Sequence, residues 1–171
     1  KEAIVSKLVA IEEMAGVDIL CSDKTGTITQ NKLTVDKVIG YGGLDEDQII
    51  LSAALASRAE DNDPIDDAIL KKAGATEAIK SERGGYAIRD FVPFDPVIKR
   101  TEAQVSKGDR EFRVAKGAPQ VILGLADEKD QIGDRVRQDV KDMAARGSRT
   151  LGVARQEGET WKMLGLIGLA D

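Results

Sequence analysis

The chain has 171 residues, 25 of them basic and 30 acidic, which gives a formal net charge of −5. This length suits one domain, or one domain and part of another, and the acidic balance argues against a general nucleic-acid binder. The sequence contains no histidine and a single cysteine, Cys21, which excludes His-based triads, His-ligated metal sites and internal disulfides. No apolar run approaches the roughly 20 residues of a membrane-spanning helix.

The first predicted elements are a helix and a strand. Apolar residues at helical spacing predict a helix over residues 2–15, which Gly16 would end. The stretch VDILCS, residues 17–22, then predicts a short buried strand, because it is an apolar run bounded by that glycine and by the polar residues DKTGT. Further predicted elements are, in chain order, an extended segment at 34–43, helices at 45–60 and 63–74, strands at 86–94 and 101–116, helices at 118–126 and 134–147, and a hairpin at 150–170.

This order of elements predicts an α+β fold. We expect a mostly antiparallel sheet flanked by helices, preceded by an incomplete segment of α/β type. Asp63 is the expected N-cap of the helix at 63–74, and Pro64 suits its first position. The chain begins at Lys1 and ends at Asp171 directly after an apolar run, which we interpret as the two ends of a fragment.

The stretch DKTGT places Asp23 at the carboxyl end of the predicted strand, where ligands bind in open α/β sheets. The residues that follow supply a cation, two hydroxyls and a glycine that lets backbone N–H groups approach an anion. A carboxylate that attacks a γ-phosphoryl group needs such a setting, and its product is an aspartyl phosphate. A strand-end turn in which Asp23 caps a helix is the simpler alternative.

The longer string CSDKTGTITQNKLTV resembles the phosphorylation signature of P-type ion-pumping ATPases. The resemblance implies that Asp23 is the phosphorylated nucleophile and that Lys24 helps to neutralise the phosphate. It also implies that Thr25 offers its backbone carbonyl to Mg²⁺ and its hydroxyl to the phosphate, so that Asp23 and Thr25 are the expected metal-site residues.

Threonine at position 25 has a further implication. P-type pumps resemble the haloacid-dehalogenase superfamily, whose phosphatases carry a second aspartate two positions after the nucleophile as general acid and base. Thr25 cannot take that role, so an aspartyl phosphate at Asp23 is expected to be long-lived. A free-standing phosphatase of that superfamily is therefore the weaker alternative.

The string PFDPVIKRT places Phe94 five residues before Lys99. A core aromatic with a solvated lysine is the ordinary interpretation, but an aromatic ring beside a cation also suits ATP, because base stacking contributes roughly 1–3 kcal/mol. The family resemblance extends to this string. It implies that Phe94 stacks on adenine and that Lys99 contacts the nucleotide.

Three further strings continue the resemblance in order. VAKGAPQVI implies Lys116 deep in the adenine pocket, with Gly117 leaving room for the ligand, whereas an ordinary strand–helix junction is the alternative. RGSRTLGVARQ implies that Arg149 reaches the ATP phosphates, whereas a surface charge is the common alternative. In DNDPIDDAIL an acidic residue would bind the adenine amino group. Asp66 aligns best with that acidic residue of the family, and Asp67 and Asp63 are the other candidates.

The resemblance implies ATP and Mg²⁺ as cofactors, and it divides the chain into the start of a phosphorylation domain at 1–35, a nucleotide-binding domain at 36–162 and a return at 163–171. The expected partners are ATP and the rest of the same pump, at the cytoplasmic face of a membrane, and no nucleic acid. The strings FDPVIKRT and RGSRTLGVARQ are most similar to plasma-membrane proton pumps. The downstream motifs that complete catalysis are absent, so we expect weak ATP binding without turnover. A non-catalytic adenine-nucleotide module and a structural scaffold remain as alternatives.

Overall fold

The computed structural model describes residues 9–19, 21 and 32–171. The chain divides into two compact units, Lys1–Asn31 and Lys32–Asp171. The predicted catalytic and metal-site residues Asp23, Lys24 and Thr25 lie outside the described residues. The residues predicted to bind the nucleotide all lie in the second unit.

In the first unit, helix α1 spans Val9–Ala15 and ends where the Gly16 N–H donates to the carbonyl oxygen of Glu13, at 3.2 Å. The predicted strand at 17–22 is wrong for the part of it that the structure describes. Residues 17–19 and 21 form no strand and are exposed, since no described segment pairs with their backbone. An apolar run alone does not make a strand, because a strand needs a neighbour to satisfy its N–H and C=O groups.

The second unit is built on one six-stranded antiparallel sheet, which confirms the predicted α+β class. Its strands are β1 (Thr34–Gly40), β2 (Ala87–Val92), β3 (Arg100–Lys107), β4 (Arg110–Gly117), β5 (Arg149–Glu157) and β6 (Thr160–Ala170). The order across the sheet is β1-β6-β5-β4-β3-β2. Tight hairpins join β3 to β4 and β5 to β6, and each turn contains a glycine with positive φ, Gly108 and Gly158.

Five helices accompany the sheet: α2 (Glu46–Leu55), α3 (Pro64–Gly74), α4 (Glu77–Gly84), α5 (Pro119–Leu125) and α6 (Lys129–Ala145). The predicted cap of α3 is confirmed, since the Asp63 carboxylate accepts from the N–H groups of Ile65 and Asp66. Helix α4 was not predicted, because Ile79 is its single buried side chain and leaves little periodicity to detect. The predicted helix at 45–60 extends too far, since α2 ends at Leu55.

The helices cover both faces of the sheet, and alternating residues of each strand face one side or the other. Helices α2, α3 and α4 pack on one face, where Leu151 and Val153 of β5 contribute to the larger hydrophobic cluster. Helices α5 and α6 form the second cluster with Ala154 of β5. Gly152 lets α5 lie directly on β5, because a Cβ there would stand 2.9 Å from Cβ of Ile122.

Strands β1 and β6 join the two ends of the second unit. Thr34 pairs with Ala170, so residues 163–170 lie in the same sheet as most of the predicted nucleotide-binding segment. The domain boundaries of the longer protein remain a prediction. Among the residues that the structure describes, no helix has both the length and the apolar character needed to cross a bilayer.

Candidate nucleotide-binding cleft

A cleft of about 650 Å³ opens at one end of three neighbouring strands, where β3 begins, β4 ends and β5 begins. It brings together all six residues that the sequence predicted for nucleotide binding. These are Asp66, Phe94, Lys99, Lys116, Gly117 and Arg149. They come from α3, from the loop between β2 and β3, from β4 and from β5. The antiparallel register thus assembles strings that stand far apart in the sequence.

The floor of the cleft is a buried ion pair. The Lys116 ammonium lies 2.6 Å from Oδ1 of Asp66, and both side chains are only 4–6% exposed. Lys116 also donates to the Thr101 hydroxyl at 3.1 Å, which in turn donates to the carbonyl oxygen of Ala56 at 2.9 Å. The other Asp66 oxygen, Oδ2, accepts from the backbone N–H of Arg58 at 2.9 Å. Each charge is therefore met by an opposite charge and by hydrogen bonds, as burial requires.

The floor keeps hydrogen-bonding capacity for a ligand. An ammonium group has three N–H donors, and described groups accept from two of those of Lys116. Each carboxylate oxygen of Asp66 has one described donor and can accept a second bond. A donor and an acceptor side by side match the edge of a heteroaromatic base, which also carries both kinds of group. The residues at the floor thus fit adenine.

Phe94 lies at the mouth of the cleft and is 58% exposed. An exposed ring contributes little to folding, since its surface is not removed from water. The same exposure leaves the face of the ring available for stacking on a planar ligand. The alternative interpretation of Phe94 as a core aromatic residue is therefore wrong.

Lys99 occupies a left-handed backbone conformation, with φ of 53°. Its carbonyl oxygen accepts from the N–H of Ala118 at 3.1 Å, which ties the loop to the start of α5. Gly117 lets the Lys99 carbonyl come this close to the start of α5. A Cβ at that position would overlap the Lys99 carbonyl oxygen and stand 2.7 Å from Cα of Arg100. The glycine predicted for ligand access thus also admits the backbone that carries Lys99.

Arg149 is the first residue of β5 and is exposed at the rim of the cleft. Within the described part of the chain, the side chains of Arg149 and Lys99 make no ion pair with an acidic residue. Two cations at the rim and an aromatic ring at the mouth give the cleft the charge and the surface that a nucleotide requires. A guanidinium can hold two phosphate oxygens at once.

Two alternatives for the acidic residue are less well placed. Asp63 lines the cleft, but its carboxylate is engaged as the cap of α3. Asp67 is exposed on α3 and does not line the cleft. Asp66 is the one of the three that is buried and paired with Lys116, so the geometry favours the first of the predicted candidates.

Sequence reasoning missed Thr101, a buried polar residue whose hydroxyl connects Lys116 to the backbone of Ala56. The sequence could have indicated Thr101 by its position, since it follows Lys99 by two residues and falls at an inward-facing position of a strand with alternating burial. Among the described residues, no cluster of acidic or cysteine side chains is arranged to hold a metal ion. The predicted Mg²⁺ site at Asp23 and Thr25 lies outside those residues.

A larger cavity, about 780 Å³, lies at the opposite end of β5 and contains none of the predicted site residues. Its lining mixes Glu128 and Glu157 with Arg155 and Lys162, and Arg155 is already paired with Glu157. The smaller cleft is the candidate site because the six predicted nucleotide-binding residues line it.

The chain matches larger proteins along its whole length. It is 53% identical, over 174 aligned positions, to a protein of Methanocaldococcus jannaschii provisionally named a cation-transporting ATPase. It is 42% identical, over 176 positions, to a protein of Dictyostelium discoideum provisionally named a plasma membrane ATPase. All of the chain is covered in both cases, but it spans only 21% and 16% of those two proteins. No protein-family model matches the chain.

Proposed function

The chain belongs to the P-type ATPases, and we propose that it supplies the ATP-binding cleft of a cation pump whose phosphorylated residue is Asp23. The observation that carries the proposal is the convergence of Phe94, Lys99, Lys116 and Arg149 on one cleft. The pump's activity, its membrane location and its other domains belong to the longer protein and are part of the proposal.

The adenine base occupies the inner part of the cleft in this proposal. The Lys116 ammonium donates to a ring nitrogen, while the Asp66 carboxylate accepts from the exocyclic amino group. Phe94 stacks on the base from the mouth. Burial of the ion pair favours such polar contacts, because a hydrogen bond in a water-poor site is stronger than one in bulk water.

The triphosphate extends toward the rim, where Lys99 and Arg149 offset its negative charge. Both side chains are exposed, so their interaction with the phosphates is screened by salt and each contributes modestly. Affinity for the nucleotide therefore depends on the base pocket more than on the rim. This distribution agrees with the expectation that the chain binds ATP weakly.

Phosphoryl transfer completes the proposed function in the longer protein. A carboxylate oxygen of Asp23 forms a bond to the γ-phosphorus, and the bond from that phosphorus to the bridging oxygen breaks, so ADP leaves with the electron pair. Mg²⁺, when bound, would offset charge on the transferring oxygens, and Asp23 and Thr25 are the residues proposed to hold it. Thr25 supplies no general base, so the aspartyl phosphate persists.

The strings around Phe94 and Arg149 support a finer proposal, that the pump transports protons. We place the cleft at the cytoplasmic face of the membrane, where ATP is available. The partners of the chain are then ATP and the remaining domains of the same pump.

Titration of the isotopically labelled chain with ATP, with and without Mg²⁺, tests the proposal by NMR. Amide signals near Phe94 and Lys116 should shift in a saturable manner. Shifts confined to residues outside the cleft, or no shifts at millimolar ATP, would contradict it.

A nucleotide-binding module without catalysis would give the same titration. It is distinguished in the full-length protein by reaction with ATP labelled in the γ-phosphate. An acid-stable label that Asp23→Asn removes supports the pump, whereas ATP binding with no labelling supports the module.

A further inference from the structure

We propose that Asp95 is a positioning residue for ATP binding, which holds Lys99 at the rim of the cleft by closing the turn between the two residues. The inference rests on the proposed function of the cleft. Asp95 itself does not line the cleft, whereas Phe94 and Lys99 on either side of this turn do. Asp95 therefore acts through the backbone of its neighbours and not by touching the nucleotide.

Asp95 captures three backbone N–H groups of its own turn. Its Oδ1 accepts from Val97 at 2.6 Å and from Ile98 at 3.1 Å. Its backbone carbonyl accepts from Lys99 at 2.7 Å. An aspartate that binds the N–H groups two and three residues ahead folds the chain back on itself. The turn thus brings the Lys99 end of the loop to the Phe94 end.

The turn must be held because Lys99 lies at φ of 53°, in the left-handed region that residues with a Cβ rarely adopt. Contacts on both sides of Lys99 keep it there. Asp95 accepts from its N–H, and its carbonyl oxygen accepts from Ala118 above a glycine that leaves the space open. Without the Asp95 carboxylate, the loop is free to return to more favourable backbone angles, and the ammonium leaves the rim.

The charge of Asp95 gives no advantage in this role. A carboxylate near a site for a polyanionic ligand opposes binding, so its value lies in the acceptor oxygen and not in its charge. Asparagine also has a side-chain oxygen that can accept from the N–H groups ahead of it. Asp95→Asn should therefore preserve the turn, and Asp95→Ala should not.

The test measures ATP affinity of the 171-residue chain by NMR titration for the unmodified protein, D95A, D95N and D109A. D109A is the control for charge, since Asp109 is an exposed residue in the β3–β4 turn and lies outside the cleft. We expect D95A to weaken binding by up to about fivefold, because it removes the modest contribution that the exposed Lys99 makes to holding the phosphates. D95N and D109A should stay within about twofold.

The backbone signals of Lys99 give a second readout that does not depend on ATP. The Lys99 amide and Cα shifts should be unchanged in D95N and displaced in D95A. If D95A does not fold, Asp95→Ser replaces it, since the shorter serine side chain is a weaker acceptor and should weaken binding by about threefold.

The outcomes separate this inference from the proposed function. ATP binding by D95A equal to that of the unmodified chain would overturn the inference and leave the proposed function intact. Equal weakening in D95A and D95N would also overturn it, because the charge and not the turn would then matter. If the unmodified chain does not bind ATP, the proposed function fails and this inference fails with it.

Discussion

Lys116 and Asp66 lie 50 positions apart in the chain, and their side chains form a buried ion pair of 2.6 Å at the floor of the cleft. The pair belongs to the folded state as well as to the proposed site. Burial of two charges is tolerated because each also has a further hydrogen-bonding partner, Thr101 for the lysine and the Arg58 N–H for the aspartate. Substitution of Lys116 or of Asp66 should therefore affect both the stability of the chain and its binding of ATP.

The first prediction concerns that pair. Lys116→Met should lower the free energy of unfolding by about 3–5 kcal/mol, because it leaves the Asp66 carboxylate buried without its cation. The double variant K116M/D66L should lose less than the sum of the two single variants. Urea denaturation of the four proteins measures the coupling. Additive effects would show that the two charges do not interact in the folded chain.

The second prediction concerns Gly117. Gly117→Ala should destabilise the chain by about 1–3 kcal/mol and weaken ATP binding, because its Cβ would displace the Lys99 backbone. Gly124→Ala is the matched control, since a Cβ at that helical position meets nothing within 4 Å. The control should be neutral or stabilising by about 0.5–1 kcal/mol. Thermal unfolding and ATP titration compare the two, and equal behaviour would contradict the steric argument.

The third prediction separates binding from stability at Phe94. Phe94→Ala should leave the free energy of unfolding within about 0.5 kcal/mol, because the ring is 58% exposed. The same variant should weaken ATP binding by about 1–3 kcal/mol through lost stacking. Val97→Ala is the control, since Val97 is 86% exposed in the same loop but does not line the cleft. Equal ATP affinities for the two variants would argue against a stacking role.

The fourth prediction concerns the rim. Arg149→Ala should weaken binding of ATP by about threefold to tenfold but leave binding of adenosine unchanged, because the arginine contacts phosphate and not base. The loss should shrink as the salt concentration rises. Arg146→Ala is the control, an exposed arginine outside the cleft. Calorimetric titration with ATP and adenosine measures the difference, and a similar loss for adenosine would place Arg149 at the base instead.

The fifth prediction uses Tyr41. Burial, and then the hydrogen bond that its hydroxyl donates to Asp139 at 2.9 Å, raise the pKa of Tyr41 well above its ordinary value of 10. A raised folded-state pKa means that this contribution to stability is complete below about pH 10 and is lost as the pH rises further. Urea denaturation between pH 8 and 11 should therefore show that the free energy of unfolding falls more steeply with pH for the unmodified chain than for Tyr41→Phe. Parallel curves would contradict the prediction.

Local patterns accounted for much of the fold. The cap of α3 at Asp63 and the glycine turns of the two hairpins follow from residues close together in the chain, so their sequence signals are strong. The end of α2 was not predictable in the same way. Beyond the end of this helix, the backbone N–H of Arg58 donates to the carboxylate of Asp66, which belongs to α3. Such a contact between different elements leaves no signal in the local sequence.

The sequence by itself determined which residues are candidates for the cleft, because motif strings are local, and the six residues they predict all line one cleft. It did not determine how they work together. The choice of Asp66 over Asp63 and Asp67, the role of Thr101 and the fit between Gly117 and the Lys99 backbone depend on tertiary structure. The physical reason is that these contacts join residues far apart in the chain, and only the register of the folded sheet brings them within hydrogen-bonding distance.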